Sequence, residues 1–311
     1  MRLIFMGTPD FAVPSLTALA QAGFLPVAVV TGPDKPRGRG QQLSFTPVKQ
    51  KAIELGIETI IETDSPTSDE LFSQIRELRP DLLVVVAFRI LPERLFSFPS
   101  KGTFNLHASL LPRYRGAAPI QWCLINGDNE TGVTTFFLQK SVDTGSVIGQ
   151  KKLSIPETMT GTELYRSLSE LGAELVVETV RQIDTGTVRT VPQDDTLATP
   201  ARKITREDSR IRWDEPGDAI RNRIRAFEDS PGAWCLLDGK VLKLFQVDFE
   251  KGSSYPQTAF GLITGYTDNH IIIAVRDGVL RVRYLQLEGK KRLSVSNFLN
   301  GYPLSFPKQI E

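Results

Sequence analysis

Asn105, His107 and Asp143 are the residues of this 311-residue chain whose types and spacing best suit chemistry. Asn105 and His107 stand two apart in Phe104-Asn105-Leu106-His107-Ala108-Ser109, downstream of the apolar run Leu82-Leu83-Val84-Val85-Val86-Ala87. Side chains of a strand alternate between its faces, so Asn105, His107 and Ser109 would share one face, and Phe104, Leu106 and Ala108 the other. The first face carries an amide, an imidazole and a hydroxyl; the second is ready for a core. An amide can donate to a developing oxyanion, and an imidazole trades a proton near neutral pH. A carboxylate can orient or charge that imidazole. Asp143, on the Gly-bounded turn Val142-Asp143-Thr144-Gly145, would supply one if the turn folds back. Taken alone, a strand histidine is more often structural than catalytic, and Asp-Thr-Gly is more often only a turn.

The surrounding pattern describes the scaffold that must position this trio. Leu3 to Met6 reads as an apolar strand ending at Gly7, followed by a helix over about residues 9–22 and a second strand over Val27–Thr31. Gly32 to Thr46 reads as a long loop, with Pro47 suited to the first turn of a helix. Ser68 is placed to cap a helix through Leu78, before the buried run 81–88. Alternating strands and helices imply an α/β fold, a Rossmann-like, mostly parallel sheet with active groups at the carboxyl ends of its strands. A long helix over 160–183 closes at Gly186. Residues 190–207 lack apolar periodicity and read as a linker, which divides the chain into domains at 1–189 and 208–311. Beyond it, short alternating segments at 233–237, 241–247, 261–266, 271–275 and 280–287, with Asp-Gly pairs at 238–239 and 277–278, suggest a smaller OB-like β-barrel.

The run NLHASLLPRYRGAAP, answered by ETGVT and DTG, resembles the 10-formyltetrahydrofolate-dependent formyltransferase family. The start LIFMGTPDFAVPSL and the loop TGPDKPRGRGQQLSFTPVK look like its methionyl-tRNA-acting branch. The resemblance implies an enzyme moving a formyl group from 10-formyltetrahydrofolate to initiator methionyl-tRNA for translation initiation. It implies catalytic roles for Asn105, His107 and Asp143, and folate contacts at Ser109, Leu110, Leu111 and Pro112. It also implies that the C-terminal barrel touches tRNA. The chain departs from the family at one turn. The family pattern there is Ala-Tyr-Gly-x-Ile-Leu-Pro, whereas this chain reads Ala87-Phe88-Arg89-Ile90-Leu91-Pro92, one residue shorter with Arg for Gly. Pterin contacts at 87–91 are therefore not carried over.

Pro33 to Gly40 holds Lys35, Arg37 and Arg39 against Asp34. Arginine meets phosphate bidentately, so these three are candidates for RNA contact, although a solvated loop has the same composition. Arg39 matches the arginine of the tRNA branch's Gly-Arg-Gly. A second basic stretch, Arg202, Lys203, Arg206, Arg210 and Arg212, then Arg221, Arg223 and Arg225, is interspersed with acids and fits a solvated face as well as an RNA track.

Other classes are disfavoured. The first strand ends in one glycine without G-x-G-x-x-G, against a nicotinamide enzyme. Two histidines and two distant cysteines, Cys123 and Cys235, argue against a disulfide or soft-metal site, and no metal is required. The net charge of +1 identifies no partner. No apolar run has the length of a membrane span and no leader is visible, so a cytoplasmic monomer is expected. The alternative acceptor is a different amine, such as an amino sugar on a nucleotide. A nonenzymatic RNA-binding protein would have no use for the polar trio.

Overall fold

The computed structural model describes residues 1–37 and 42–311, and the backbone alone for residues 35–37, 42 and 43. Two compact units divide the chain. The first comprises Met1–Pro119, Glu130–Ser154 and Tyr165–Ala201; the second comprises Ile120–Asn129, Ile155–Leu164 and Arg202–Glu311.

In chain order the first elements are β1 (Leu3–Gly7), α1 (Val13–Gln21), β2 (Ala28–Thr31), β3 (Lys35–Arg37), β4 (Gln42–Ser44), α2 (Pro47–Glu54) and β5 (Ile60–Glu62). Then come α3 (Asp69–Leu78), β6 (Leu82–Val86), α4 (Glu93–Phe96) and β7 (Thr103–His107). After α5 (Pro119–Ile125) follow β8 (Glu130–Phe137), β9 (Val147–Ser154) and α6 (Gly161–Thr185).

The main sheet of the first unit has the order β5-β2-β1-β6-β7-β8-β9, parallel from β5 to β7 and antiparallel from β7 to β9. This is the Rossmann-like sheet expected from the alternating pattern. Every residue of β1 and β6 is buried, as strands covered on both faces require, which is why both read as unbroken apolar runs. Local signals fix the helix starts. The Thr46 hydroxyl accepts from Lys49 N (3.1 Å) ahead of Pro47, and Ser68 Oγ accepts from Leu71 N (3.2 Å).

Strand order departs from β1 in both directions, toward β2 on one side and β6 on the other, so a crevice opens at the carboxyl ends of β1 and β6. Gly7 pairs with Val86, and Val86 with Leu106, which brings His107 to the same edge. Two local expectations change. The 32–46 segment contains the hairpin β3–β4, with Lys35 opposite Ser44 and Arg37 opposite Gln42, because its composition hides a short extended pair behind prolines and glycines. Ser109 does not continue β7. The strand ends at His107, and Ser109 turns inward, fully buried, its hydroxyl donating to Arg113 O at 2.6 Å.

The second unit contains α7 (Gly217–Ala226), β10 (Ala233–Leu237), β11 (Lys240–Lys251), β12 (Leu262–Tyr266), β13 (Ile271–Val275), β14 (Gly278–Leu287), β15 (Leu293–Ser294), α8 (Val295–Gly301) and β16 (Lys308–Gln309). Its antiparallel sheet has the order β10-β11-β14-β13-β12-β16, with β15 beside β14. Leu236 and Glu311 exchange two backbone hydrogen bonds (2.6 and 2.9 Å), which joins the edge strand β10 to the residues after β16 and curls the sheet into a barrel. Asp238 and Gly239 both take positive φ (51° and 74°), the conformation that a two-residue hairpin with matching twist needs.

Candidate active site

β7 brings the first two polar residues to the carboxyl edge of the sheet. Asn105 and His107 share a face, about 6.6 Å apart at the usual rise per residue. Asn105 is half-buried, and no side-chain hydrogen bond takes up its amide among the described residues. His107 is buried and held. Its Nε2–H donates to the Tyr114 carbonyl at 2.8 Å, and Nδ1 lies 3.8 Å from Asp143 Oδ2. That separation suits an ion pair and is too long for a hydrogen bond. Both groups facing the ring nitrogens, the Tyr114 carbonyl and the Asp143 carboxylate, are acceptors. The structure thus brings His107 and Asp143 together, with Asn105 two residues up the same strand.

Asp143 reaches this position through an unusual turn. Its backbone is left-handed (φ 56°), and Oδ2 accepts from Gly116 N at 2.9 Å. Gly145 makes the turn feasible, since a Cβ there would stand 1.6 Å from the Phe137 carbonyl oxygen. Gln193 closes the turn from outside, its Nε2 donating to the carbonyls of Asp143 (2.9 Å) and Gly145 (2.8 Å).

Ser109 to Pro112 leaves the sheet and is fastened by Thr134 and Gln150. Thr134 Oγ1 donates to Ser109 O (2.6 Å) and accepts from Leu111 N (3.1 Å). Gln150 Nε2 donates to Leu111 O (2.8 Å) and Thr134 Oγ1 (2.9 Å). Ser109 and Leu111 are buried; Leu110 and Pro112 are half-exposed. The accessible part of this segment is therefore Leu110, Pro112 and backbone.

At the β1–β6 crevice a cleft of about 360 Å³ is lined by Thr8, Gly32, Ser44, Thr46, Phe88 and Arg89. It includes the departing turn. Ala87 takes φ 47°, Phe88 is half-buried, and Arg89 is exposed with Asp64 at 3.7 Å. The loop after β1 is anchored to α6. Phe11 N donates to Tyr165 Oη (3.0 Å), Ser169 Oγ donates to Phe11 O (2.7 Å), and burial and the Asp10 carboxylate push the Tyr165 phenol above its ordinary value. Arg39, and the side chains of Lys35 and Arg37, lie outside the described residues.

Sequence reasoning missed Gln193, Arg115, Thr134 and Gln150. Thr134 sits inside the run ETGVT and carries a signal, as a polar residue in a fully buried strand segment. Gln193 carries none, because its neighbours show no period. Among the described residues no three His, Cys, Asp or Glu side chains gather as a metal site would require, and no helix is long and apolar enough to cross a membrane.

Residues 1–180 match the family described as formyl transferase, and residues 203–303 match formyl transferase, C-terminal domain. The chain belongs to the formyl transferase family. It is 48% identical over 308 residues to the methionyl-tRNA formyltransferase of Chlorobium limicola, covering 97% of this chain and 96% of that one. The methionyl-tRNA formyltransferase of Geobacter metallireducens is 46% identical over 302 residues, with the same coverage. Among solved structures, the sugar 3N-formyl transferase WlaRD, in the presence of dTDP and 5-N-formyl-THF, superposes with a TM-score of 0.67 at 19% identity, over 94% of this chain and 99% of that one. At that identity the likeness is one of fold.

Proposed function

We propose that this formyltransferase moves the formyl group of 10-formyltetrahydrofolate to the free amino group of methionyl-tRNA, making formyl-methionyl-tRNA for translation initiation. One observation carries the chemistry: the unbonded amide of Asn105 stands on the same strand face as a histidine fixed between a carbonyl and a carboxylate. The amine attacks the formyl carbon, forming a C–N bond and a tetrahedral centre with a negative oxygen. Asn105 donates to that oxygen, and His107, flanked by two acceptors, supplies positive charge beside it. Asp143 balances His107 and takes the proton the amine sheds. The bond from carbon to N10 then breaks, and N10 takes the proton that Asp143 collected, which restores the carboxylate. α-Amino groups titrate at about 7.7–8.0, so a usable fraction is neutral near physiological pH.

Leu110, Pro112 and the backbone of 109–112 contact the folate. The aminoacyl end enters the cleft at the foot of the β3–β4 hairpin, and Lys35, Arg37 and Arg39 hold the RNA. The identity of methionyl-tRNA as acceptor is supported by relatives at 46–48% identity over nearly the whole chain. A sugar-nucleotide acceptor, left open by the sequence, has only likeness of fold behind it. The enzyme acts as a cytoplasmic monomer.

A direct assay tests the acceptor. Formyl-labelled 10-formyltetrahydrofolate is offered with charged methionyl-tRNA or with an amino-sugar nucleotide, and label is expected on the tRNA. Label on the sugar alone would sink the assignment.

A further inference from the structure

We propose that Gln193 is a positioning residue for Asp143, part of a latch with Arg115 that holds the 143–145 turn where its carboxylate can face His107. The inference rests on the role assigned to Asp143 above.

The latch is a closed circuit within the first unit. Gln193 spends both amide hydrogens on the turn, one on the Asp143 carbonyl and one on the Gly145 carbonyl. Its oxygen accepts from Arg115 Nε (3.0 Å) and Nη2 (2.8 Å). These partners fix the amide's orientation, because the flipped form would set its oxygen against two carbonyls and its NH2 against a guanidinium. Arg115 is in turn paired with Asp195 (2.6 Å). The residue after Arg115 completes the ring, since Gly116 N donates to Asp143 Oδ2. One short segment therefore grips the carboxylate directly and its backbone through Gln193.

The turn needs such a grip. Asp143 sits in the left-handed region, which disfavours residues other than glycine, and Gly145 presses against Phe137 O. Gln193 is itself held by a backbone bridge two residues back, where Val147 and Val191 exchange bonds of 2.8 and 2.9 Å. The aperiodic start of the expected linker thus reaches the candidate catalytic turn. No hydrogen bond from the Gln193 side chain to Asn105, His107 or residues 109–112 is present among the described residues, whereas Arg115 directly follows Tyr114, whose carbonyl holds His107, so Gln193 is the member of the latch to vary.

A double-mutant cycle on the full chain tests this. Q193A, D143A and the double variant are assayed for kcat and for KM toward 10-formyltetrahydrofolate and methionyl-tRNA, with the melting temperature alongside. Misplacing a reacting group by an ångström can cost about 100-fold. Q193A is expected to lower kcat by about 10- to 100-fold while both KM values stay within about twofold. D143A should be at least as slow, and the double variant no slower than D143A. Should Q193A melt early, Q193M replaces it, keeping the volume and lacking the donors. A wild-type rate in Q193A or Q193M overturns the latch, and so does a double variant slowed by the product of the two single effects. If Q193A is at wild-type rate while D143A is slow, only the latch fails. If D143A itself is unimpaired, the role given to Asp143 fails first and takes the latch with it.

Discussion

The loops at the carboxyl edge of β7 and the segment 202–212 of the second unit are both polar, and they are built on opposite plans. Around His107 the polar groups brace one another through hydrogen bonds to Tyr114 O, Thr134, Gln150 and Gln193, with the Asp143 carboxylate facing the ring. In 202–212 three arginines, two exposed and one half-buried, are laid over aromatic rings at the surface. Arg202 stacks on Trp122 (4.8 Å), and Arg206 and Arg210 stack on Trp234 (5.1 and 5.4 Å). Trp122 and Trp234 each donate Nε1–H to a carbonyl of the same segment, Arg202 O and Arg206 O. Arg206 is exposed and has no ion pair among the described residues. Cross-bracing by several hydrogen bonds fixes position closely, as a reacting centre demands. A stacked arginine that is exposed and without an ion pair, as Arg206 is, keeps its N–H edge in solvent, which suits phosphates spread along an RNA backbone. The first plan should be sensitive to single atoms and indifferent to salt; the second should be the reverse.

The sharpest test of that contrast is at the site. Asn105→Ala and His107→Ala should each lower kcat by at least about 100-fold, matching roughly 2.7–4 kcal/mol for one oxyanion donor. Folate affinity should stay nearly intact. If rate and binding fell together, the pair would be structural and the contrast would lose its first half.

Thr134→Val comes next in size. It removes a hydroxyl that serves Ser109 O, Leu111 N and Gln150 at once, in a fully buried position. An unsatisfied buried group costs about 1–3 kcal/mol. KM for 10-formyltetrahydrofolate should rise about tenfold, with little change for tRNA. A folate KM at wild-type level would show that 109–112 is not held for ligand binding.

How legible the two regions are follows from the distance over which each is encoded. Asn105 and His107 lie on one strand, so period-two alternation puts them on one face before any fold is known. The barrel strands are legible for the same reason, and the Asp238-Gly239 turn by its composition. Gln193 lies 50 residues from Asp143 and Thr134 25 residues from Ser109, and only the folded sheet brings them together. Ser109 shows the limit of alternation, since the period predicts a face only while the strand continues. The basic run of 202–212 is visible, but its fixing on Trp122 and Trp234 is not, because stacking depends on where the rings stand.

The second region breaks differently. Arg206→Gln with Arg210→Gln should raise KM for methionyl-tRNA only a few-fold at low salt and leave kcat unchanged. The slope of log binding constant against log salt should become shallower by roughly 0.7–0.9 for each phosphate left unneutralised. An unaltered slope would make 202–212 an ordinary solvated face, whatever its stacking.

The smallest effect separates the scaffold of that face from its charges. Asp208 is buried and receives both terminal nitrogens of Arg202, with Thr205 N (2.8 Å) and Oγ1 (2.7 Å) completing its shell. The Arg202 hydrogen bonds chiefly, then those from Thr205, outweigh burial and hold its carboxyl well below the usual range. A carboxylate whose folded value is depressed stabilises fully above the unfolded value of about 3.9, and that stabilisation is lost as pH falls toward the folded value. Asp208→Asn should therefore cost about 1.5–3 kcal/mol, the worth of hydrogen bonds to a charged group. The gap in melting temperature from wild type should be constant between about pH 5 and 8 and close below about pH 4. The salt slope for tRNA should not move, because Arg206 and Arg210 keep their place over Trp234. A slope that changed along with stability would mean the arginines depend on Asp208 for their position, and that this face too is braced as the active site is.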